Sequence, residues 1–217
     1  MHDPTPPETI RPLHDVWLRP RRVLRELADA PISRVDYLLG AVQGIVSWLS
    51  LSRAQSAGVD SGLGAILGRA VLAGPAAGII GLYLMTMVYL RLGRRAGGSA
   101  TRPQVMHALA YSGVPMIASL AIWLVAAALA GRACFIDAPH PALEPFLILV
   151  LRFQFVAHAL LVCWSLLLQV LAYSEVERLP TRRAFGVWLL GQGLVMVAIL
   201  VLWMVVAGLG GAPPSPG

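Results

Sequence analysis

Charged residues are scarce in this sequence, and their scarcity decides the class of protein. Only 13% of the 217 residues are charged, whereas 57% are hydrophobic. An ordinary soluble domain has about 25% charged residues and roughly 45–50% apolar ones. A chain of this composition cannot cover a water-exposed surface with polar groups. It therefore excludes an ordinary soluble domain and indicates an integral membrane protein.

Cysteine, lysine and catalytic motifs are also scarce or absent. The two cysteines, Cys134 and Cys163, fit neither a disulfide framework nor a metal cluster. All 17 basic residues are arginines in short clusters between apolar runs, a pattern that excludes nucleic acid as a partner. The sequence has no H-E-x-x-H, G-x-S-x-G or phosphate-loop motif. We therefore expect no catalytic residue, no cofactor, no metal and no enzymatic activity.

The sequence is instead rich in long apolar runs. They lie at about 35–51, 70–90, 108–130, 153–173 and 184–208. About 20 apolar residues in a helix cross a hydrocarbon core roughly 30 Å thick, and these runs lack the alternation of strands. They predict an all-α integral membrane protein, with a compact five-helix transmembrane bundle at 35–209 and a flexible tail at 210–217. Thr101, Pro103 and Gln104 form a capping-box pattern, which predicts that the third helix begins before its apolar run.

Arginine-rich and arginine-poor segments alternate along the chain. Most arginines lie before the first run, between the second and third runs, and between the fourth and fifth runs. Because positively charged loops stay in the cytoplasm, we expect the N-terminus inside and the C-terminus outside. Residues 1–34 are charged, contain prolines and exceed the length of a signal n-region, so we expect no cleaved signal peptide.

Residues 1–34 are expected to form a cytoplasmic N-terminal arm with a short amphipathic helix at about 16–30. Pro20 suits the first position of a helix, and Val23 and Leu24 lie on one face with Leu27. This pattern predicts a helix lying on the inner membrane surface against anionic lipid. The alternative is a cytoplasmic helix packed on the loops. The residues expected to contact the membrane surface or a partner are Trp17, Arg21, Arg22 and Arg25.

Polar residues in the first and fourth runs fall on one side of each helix, at about 100° per residue. They are Asp36, Gln43, Ser47 and Ser50 in the first run, and Gln154, His158, Ser165 and Gln169 in the fourth. Because polar groups are costly in lipid, both stripes are expected to face protein. They indicate either a path for a proton, ion or small solute, or hydrogen bonds between helices, which we favour. Asp36 is expected to pair with Arg34 or another arginine of the cytoplasmic side.

Glycines recur at a spacing that lets helix backbones approach each other closely. The pairs are Gly40 and Gly44, Gly64 and Gly68, and Gly74 and Gly78. Each pair is common in membrane helices, but three pairs so close in sequence predict a compact bundle or a dimer face.

Three short segments together resemble bacterial members of the Yip family, the Ypt/Rab-interacting membrane proteins. They are the W-L-x-P segment at 17–20, YSGVP at 111–115, and AYSEVERLPTRRAF at 172–185. The resemblance covers about 17–208. At 36–40 the chain has DYLLG, where eukaryotic members have a D-L-Y-G-P type motif. The resemblance implies a non-enzymatic protein of a bacterial inner membrane that recruits or organises partners, which in eukaryotes are linked to small GTPases and vesicle traffic.

The leading hypothesis is a scaffold or adaptor in membrane organisation or trafficking-like processes. Its expected partners are the lipid bilayer, in particular anionic inner-leaflet lipid, and either another membrane protein or a second copy of the chain. The alternative is a small transporter or channel subunit that uses the polar stripe of the fourth span. An intramembrane enzyme is the third and most distant hypothesis.

Overall fold

The computed structural model describes residues 11–137 and 143–209. Within these residues the chain is helical and has no strand, as the sequence predicts. The helices are α1 (Pro12–Asp15), α2 (Pro20–Glu26), α3 (Arg34–Ala54), α4 (Leu63–Arg95), α5 (Arg102–Ser112), α6 (Pro115–Ala130), α7 (Pro145–Val176) and α8 (Thr181–Leu209), with a 3-10 turn at Gly131–Phe135 between α6 and α7. The predicted flexible tail at 210–217 lies outside the described residues, as do residues 1–10 of the arm.

Four helical segments of the described chain are long and apolar enough to cross a membrane. They are α3, α4, the segment Arg102–Phe135 that contains α5 and α6, and α7. These segments confirm an integral membrane protein with several apolar helices. At 33 residues, α4 is about 50 Å long, so it extends beyond a hydrocarbon core of roughly 30 Å. Helix α8 occupies the position of the predicted fifth span, and its crossing of the membrane stays a prediction.

The predicted third span is two helices joined by a break. Helix α5 begins at Arg102, directly after Thr101, which is the N-cap of the capping box with Gln104. This confirms the predicted start. The helix ends before Pro115, whose ring lacks the N–H that an uninterrupted helix requires. Carbonyls near the break accept hydrogen bonds from neighbouring helices: Gln43 donates to Ala110 (3.2 Å) and Ser165 donates to Ser112 (2.7 Å). Such side-chain donors allow an interrupted helix to exist within a membrane.

Four of the predicted packing glycines meet at the crossing of α3 and α4. Gly44 lies against the backbone of Gly74 and Gly78, and Gly78 also lies against the backbone of Gly40. A Cβ atom built on Gly44 would lie 2.7 Å from the Cα of Gly78, so only glycine permits this approach. The third pair differs. A Cβ atom built on Gly64 or on Gly68 would have no atom of another residue within 4 Å.

The molecule has two ends that differ in charge. The basic end carries residues 11–33, 91–102 and 177–183, and hydrogen bonds such as Ala100 N–H to the Glu177 carboxylate (3.1 Å) bring these segments together. At the far end, Gly58 N–H donates to the carbonyl of Phe135 (3.0 Å). Residues 91–102 and 177–183 supply these exposed arginines to the basic end: Arg91, Arg94, Arg95, Arg102, Arg178, Arg182 and Arg183.

Candidate functional site

The N-terminal arm is bound to the basic end through Glu175, near the end of α7. The Nε atom of Arg25 lies 3.0 Å from one Glu175 oxygen, and that of Arg21 lies 3.9 Å from the other. Arg21 also donates to the hydroxyl of Thr181 (3.1 Å), at the start of α8. Arg22 pairs with Glu26 within α2 (3.7 Å). Two arginines that the sequence assigned to the membrane surface or a partner thus hold the arm on the bundle.

The apolar face of α2 is covered by protein and not by lipid. Helix α2 begins at Pro20 as predicted, but Val23 is 0% exposed and Leu24 is 2% exposed against the bundle. Trp17 is partly buried and packs on the same core. The apolar face of α2 thus packs on the molecule, as in the alternative, and contact of the arm with the inner membrane surface stays a prediction. The physical reason is that α5 and α7 offer this face an apolar surface.

A buried pair of polar side chains lies beneath the arm. Asp36 is 0% exposed and His107 is 2% exposed, and His107 Nδ1 lies 2.6 Å from the Asp36 carboxylate. The other ring nitrogen faces the carbonyl of Ala30 in the arm (3.2 Å), and Asp36 also accepts two hydrogen bonds from Ser33. A histidine imidazolium donates to both acceptors and balances the carboxylate charge. The expected arginine partner of Asp36 is therefore replaced by a histidine that sequence reasoning missed.

A second buried carboxyl group lies where α7 turns towards α8. Glu177 is 1% exposed; one of its oxygens accepts the Ala100 N–H, and the other has no hydrogen-bond partner among the described residues. Burial raises the pKa of this carboxyl above its ordinary value. Gly93 and Gly98 leave room for it, because a Cβ at either position would lie within 3 Å of the Glu177 carboxyl carbon.

The segment at 172–185 organises the whole basic end. Tyr173 donates to the carbonyl of Tyr89 (2.9 Å), and Ser174 donates to the carbonyl of Leu179 (2.8 Å), which closes the turn. The same segment supplies the acid that binds the arm and the acid buried beside α4. This segment carries part of the family resemblance, but its sequence pattern does not show that the two glutamates have separate roles.

At the far end, the first half of the α7 polar stripe ties helices together. His158 lies between two hydroxyls, with Ser119 at 2.7 Å from Nδ1 and Ser50 at 3.2 Å from Nε2. Arg53 donates to the Gln154 side-chain oxygen (2.6 Å). These contacts join α3, α6 and α7. Gln154 and His158 therefore have partners within the bundle.

Four other residues of the two stripes border one cavity of about 610 Å³ between α3, α4, α7 and α8. The cavity lies beside the break between α5 and α6. Its polar lining residues are Gln43, Ser47, Ser112, Ser165, Gln169 and Gln192. The side-chain oxygen of Gln169 accepts hydrogen bonds from Trp188 (2.6 Å) and Gln192 (3.3 Å). None of the described residues that line the cavity is charged. The two stripes thus face a shared space, and Asp36 lies apart from it.

The described residues contain no group of three or more histidine, cysteine, aspartate or glutamate side chains placed to hold a metal ion. A search of curated proteins and a search of solved structures each found no match. A family model, that of the Yip1 domain, matches residues 15–205. The match includes the arm helix α2, the helix break at 111–115 and the segment at 172–185. With nearly the whole chain matched, the resemblance drawn from the sequence is confirmed, and the protein belongs to the Yip1 domain family of membrane proteins.

Proposed function

We propose that this protein is a non-enzymatic membrane scaffold or adaptor whose basic end lies in the cytoplasm. In this proposal α8 is a fifth transmembrane helix, which places the N-terminus inside and the C-terminus outside a bacterial inner membrane. The observation that carries the proposal is the docking of the arm on the basic end through Glu175 and the Asp36–His107 pair. A fixed arm offers a partner a defined surface, whereas a free arm would have to be ordered at an entropic cost.

The exposed arginines of the basic end support contact with anionic lipid headgroups. They lie at or near the ends of α4, α5, α7 and α8, close to where membrane helices leave the hydrocarbon core. Each arginine close to an anionic membrane surface contributes about 1 kcal/mol of attraction. Several such residues around one end of the bundle would hold that end at the headgroups of the inner leaflet.

The outward face of the arm is the proposed contact for a protein partner. Leu18 is 82% exposed, and Leu13 is 45% exposed near it, although the opposite face of the arm is buried. Exposed apolar side chains that are rimmed by charged ones are typical of interaction sites. Arg11 and Arg19, which neighbour these leucines in sequence, are exposed and supply charge beside them.

Site-specific photo-crosslinking in living cells tests the adaptor role. We expect a photoreactive amino acid at Leu18 to give a discrete protein adduct. The Glu175→Arg variant should weaken this adduct because it loosens the docking of the arm, and the charge swap with Arg25→Glu should restore it. A photoreactive residue at Leu160, which is exposed on α7, serves as the control for random membrane collisions. The absence of any discrete adduct at Leu18 and Leu13 would overturn the adaptor proposal.

A small transporter or channel subunit is the second candidate, and the central cavity is the observation that favours it. A solute path through this cavity would not follow Gln154 and His158, because those two side chains are hydrogen-bonded to other helices and do not line the cavity. Reconstitution in liposomes separates the two functions. Proton or small-solute flux that falls in the Gln169→Ala variant but not in the Leu160→Ala variant would favour transport over the adaptor role.

A further inference from the structure

We infer that the central cavity binds the uncharged head of a glycerolipid, whose hydroxyl and ester groups enter the cavity from the bilayer while its acyl chain stays against apolar walls. The cavity volume of about 610 Å³ lies within the range of roughly 300–1,000 Å³ that small-molecule sites occupy. The inference is independent of the adaptor role, because the cavity is separate from the arm and its contacts.

Most of the cavity opening lies along the apolar spanning segments. Four of its lining residues are exposed: Ser47 and Leu51 on α3, Ala77 on α4 and Leu166 on α7. Ser47, Ala77 and Leu166 lie at least seven residues from the nearer end of their helices, whereas Leu51 lies close to the end of α3. A molecule that reaches the cavity through this opening must first dissolve in the hydrocarbon region. That route selects lipids and disfavours ions, whose transfer into hydrocarbon is costly.

The polar lining selects a neutral head that both donates and accepts hydrogen bonds. The side-chain nitrogen of Gln169 has no hydrogen-bond partner among the described residues, and the same holds for the side-chain oxygens of Gln43 and Gln192. An amide N–H donates to an ester carbonyl, and amide oxygens accept from hydroxyls. Without a charged lining residue, an ionic head would lie uncompensated in a largely apolar site.

One wall of the cavity has room that a larger side chain can fill. Gly81 lines the cavity, and a Cβ built on it would have no atom within 4 Å. Gly81→Leu therefore places an isobutyl group in the space proposed for the ligand without meeting the backbone of another helix. Gly64 has equally open surroundings on the same helix but does not line the cavity. Gly64→Leu is thus a matched control for the added side chain.

Photolabelling of the full chain in phosphatidylcholine nanodiscs tests the inference. The probe is a monoacylglycerol with a diazirine close to its ester, and its adducts are mapped by mass spectrometry. We expect adducts concentrated on cavity residues of α3 and α7, and their near loss in Gly81→Leu with no change in Gly64→Leu. Gln169→Leu should reduce labelling by at least two- to tenfold, because it removes one hydrogen bond to the probe and also the acceptor of Trp188 and Gln192.

Competition identifies the kind of head that the cavity accepts. Unlabelled monoacylglycerol should displace the probe, whereas a lysophosphatidic acid with the same chain should not, because its phosphate is charged. Adducts spread evenly over lipid-facing residues would overturn the inference, and so would equal displacement by the two competitors. If Gly81→Leu lowers the thermal unfolding midpoint more than Gly64→Leu does, the competition on the unaltered protein decides the outcome.

Discussion

Replacing Gly44 by alanine is expected to push α3 and α4 apart. The added methyl group would lie 2.6 Å from the backbone nitrogen of Gly78 and 2.7 Å from its Cα, and still closer to the carbonyl oxygen of Gly74. Non-bonded carbon atoms prefer separations of about 3.5–4.0 Å. The neighbouring atoms belong to the backbone of α4, so no side-chain rotation relieves the contact.

The cost follows from the separation that the methyl group imposes. A gap of about 0.5–1 Å removes roughly a quarter to a half of the dispersion attraction of each atom pair across an interface. Overpacking of this kind costs about 1–3 kcal/mol. Alanine also favours a helix by up to about 1 kcal/mol relative to glycine, which opposes the loss. Gly64→Ala, in the first turn of α4, and Gly68→Ala, one turn further into the helix, add the same methyl group with no atom nearby. Gly68→Ala also gains the helix preference, so the two controls together isolate the packing cost of Gly44→Ala.

Reversible unfolding in mixed micelles, followed by far-ultraviolet circular dichroism, measures this cost. We expect Gly44→Ala to be less stable than Gly68→Ala by about 1–3 kcal/mol. Gly78→Ala should behave like Gly44→Ala, because its methyl group would meet the Gly40 and Gly44 backbone. Equal stability of Gly44→Ala and Gly68→Ala would refute the assignment of the α3–α4 crossing to these glycines.

Three further perturbations test the basic end. Asp36→Ala and His107→Leu should each cost about 3–5 kcal/mol because each leaves a buried partner unpaired, and the double variant should cost less than their sum; additive losses would contradict the pair. Burial raises the pKa of the Glu177 carboxyl, so the folded protein loses stability as pH rises from about 4.3 through that raised value. Unfolding midpoints between pH 4.5 and 8 should therefore show Glu177→Gln gaining stability relative to the unaltered protein as pH rises, and a pH-independent difference would count against this account. Glu175→Arg should speed proteolysis of the arm by no more than about fivefold, since surface ion pairs contribute at most about 1 kcal/mol and the buried face of α2 still packs on the bundle. Adding Arg25→Glu should slow the cleavage again, and a failure to do so would separate arm docking from this ion pair.

The helices and the basic end were predictable because both depend on local sequence. Long apolar runs and arginine clusters are properties of contiguous residues, and the Thr101 capping box lies within a single helical turn. The glycines of α3 and α4 were also identified from their spacing. Spacing alone did not separate those that meet another helix from Gly64, which faces open space, because the distinction depends on how neighbouring helices are placed.

The contacts of the arm could not be predicted in the same way. The apolar face of α2 has a pattern that suits lipid and protein equally, and only the position of α5 and α7 decides between them. The partner of Asp36 lies 71 residues away along the chain, at His107, and no local pattern connects the two. The stripes pointed to Gln43, Gln154 and His158, which contact other helices, but Ser47 of the same pattern is exposed. The central cavity depends on the distance between α3 and α7, which the intervening helices set.

Cysteine accessibility tests the central claim, that the arginine-rich end lies in the cytoplasm and α8 returns the chain to the outside. Cys134 and Cys163 are first replaced by alanine, and single cysteines are then introduced at Ser99 on the basic end, at Asp60 on the far end and after the final residue. In intact cells, a membrane-impermeant maleimide should label the cysteines at Asp60 and at the C-terminus, whereas the one at Ser99 should react only after permeabilisation. Labelling of Ser99→Cys in intact cells, or protection of the C-terminal cysteine, would contradict the topology and the adaptor surface built on it.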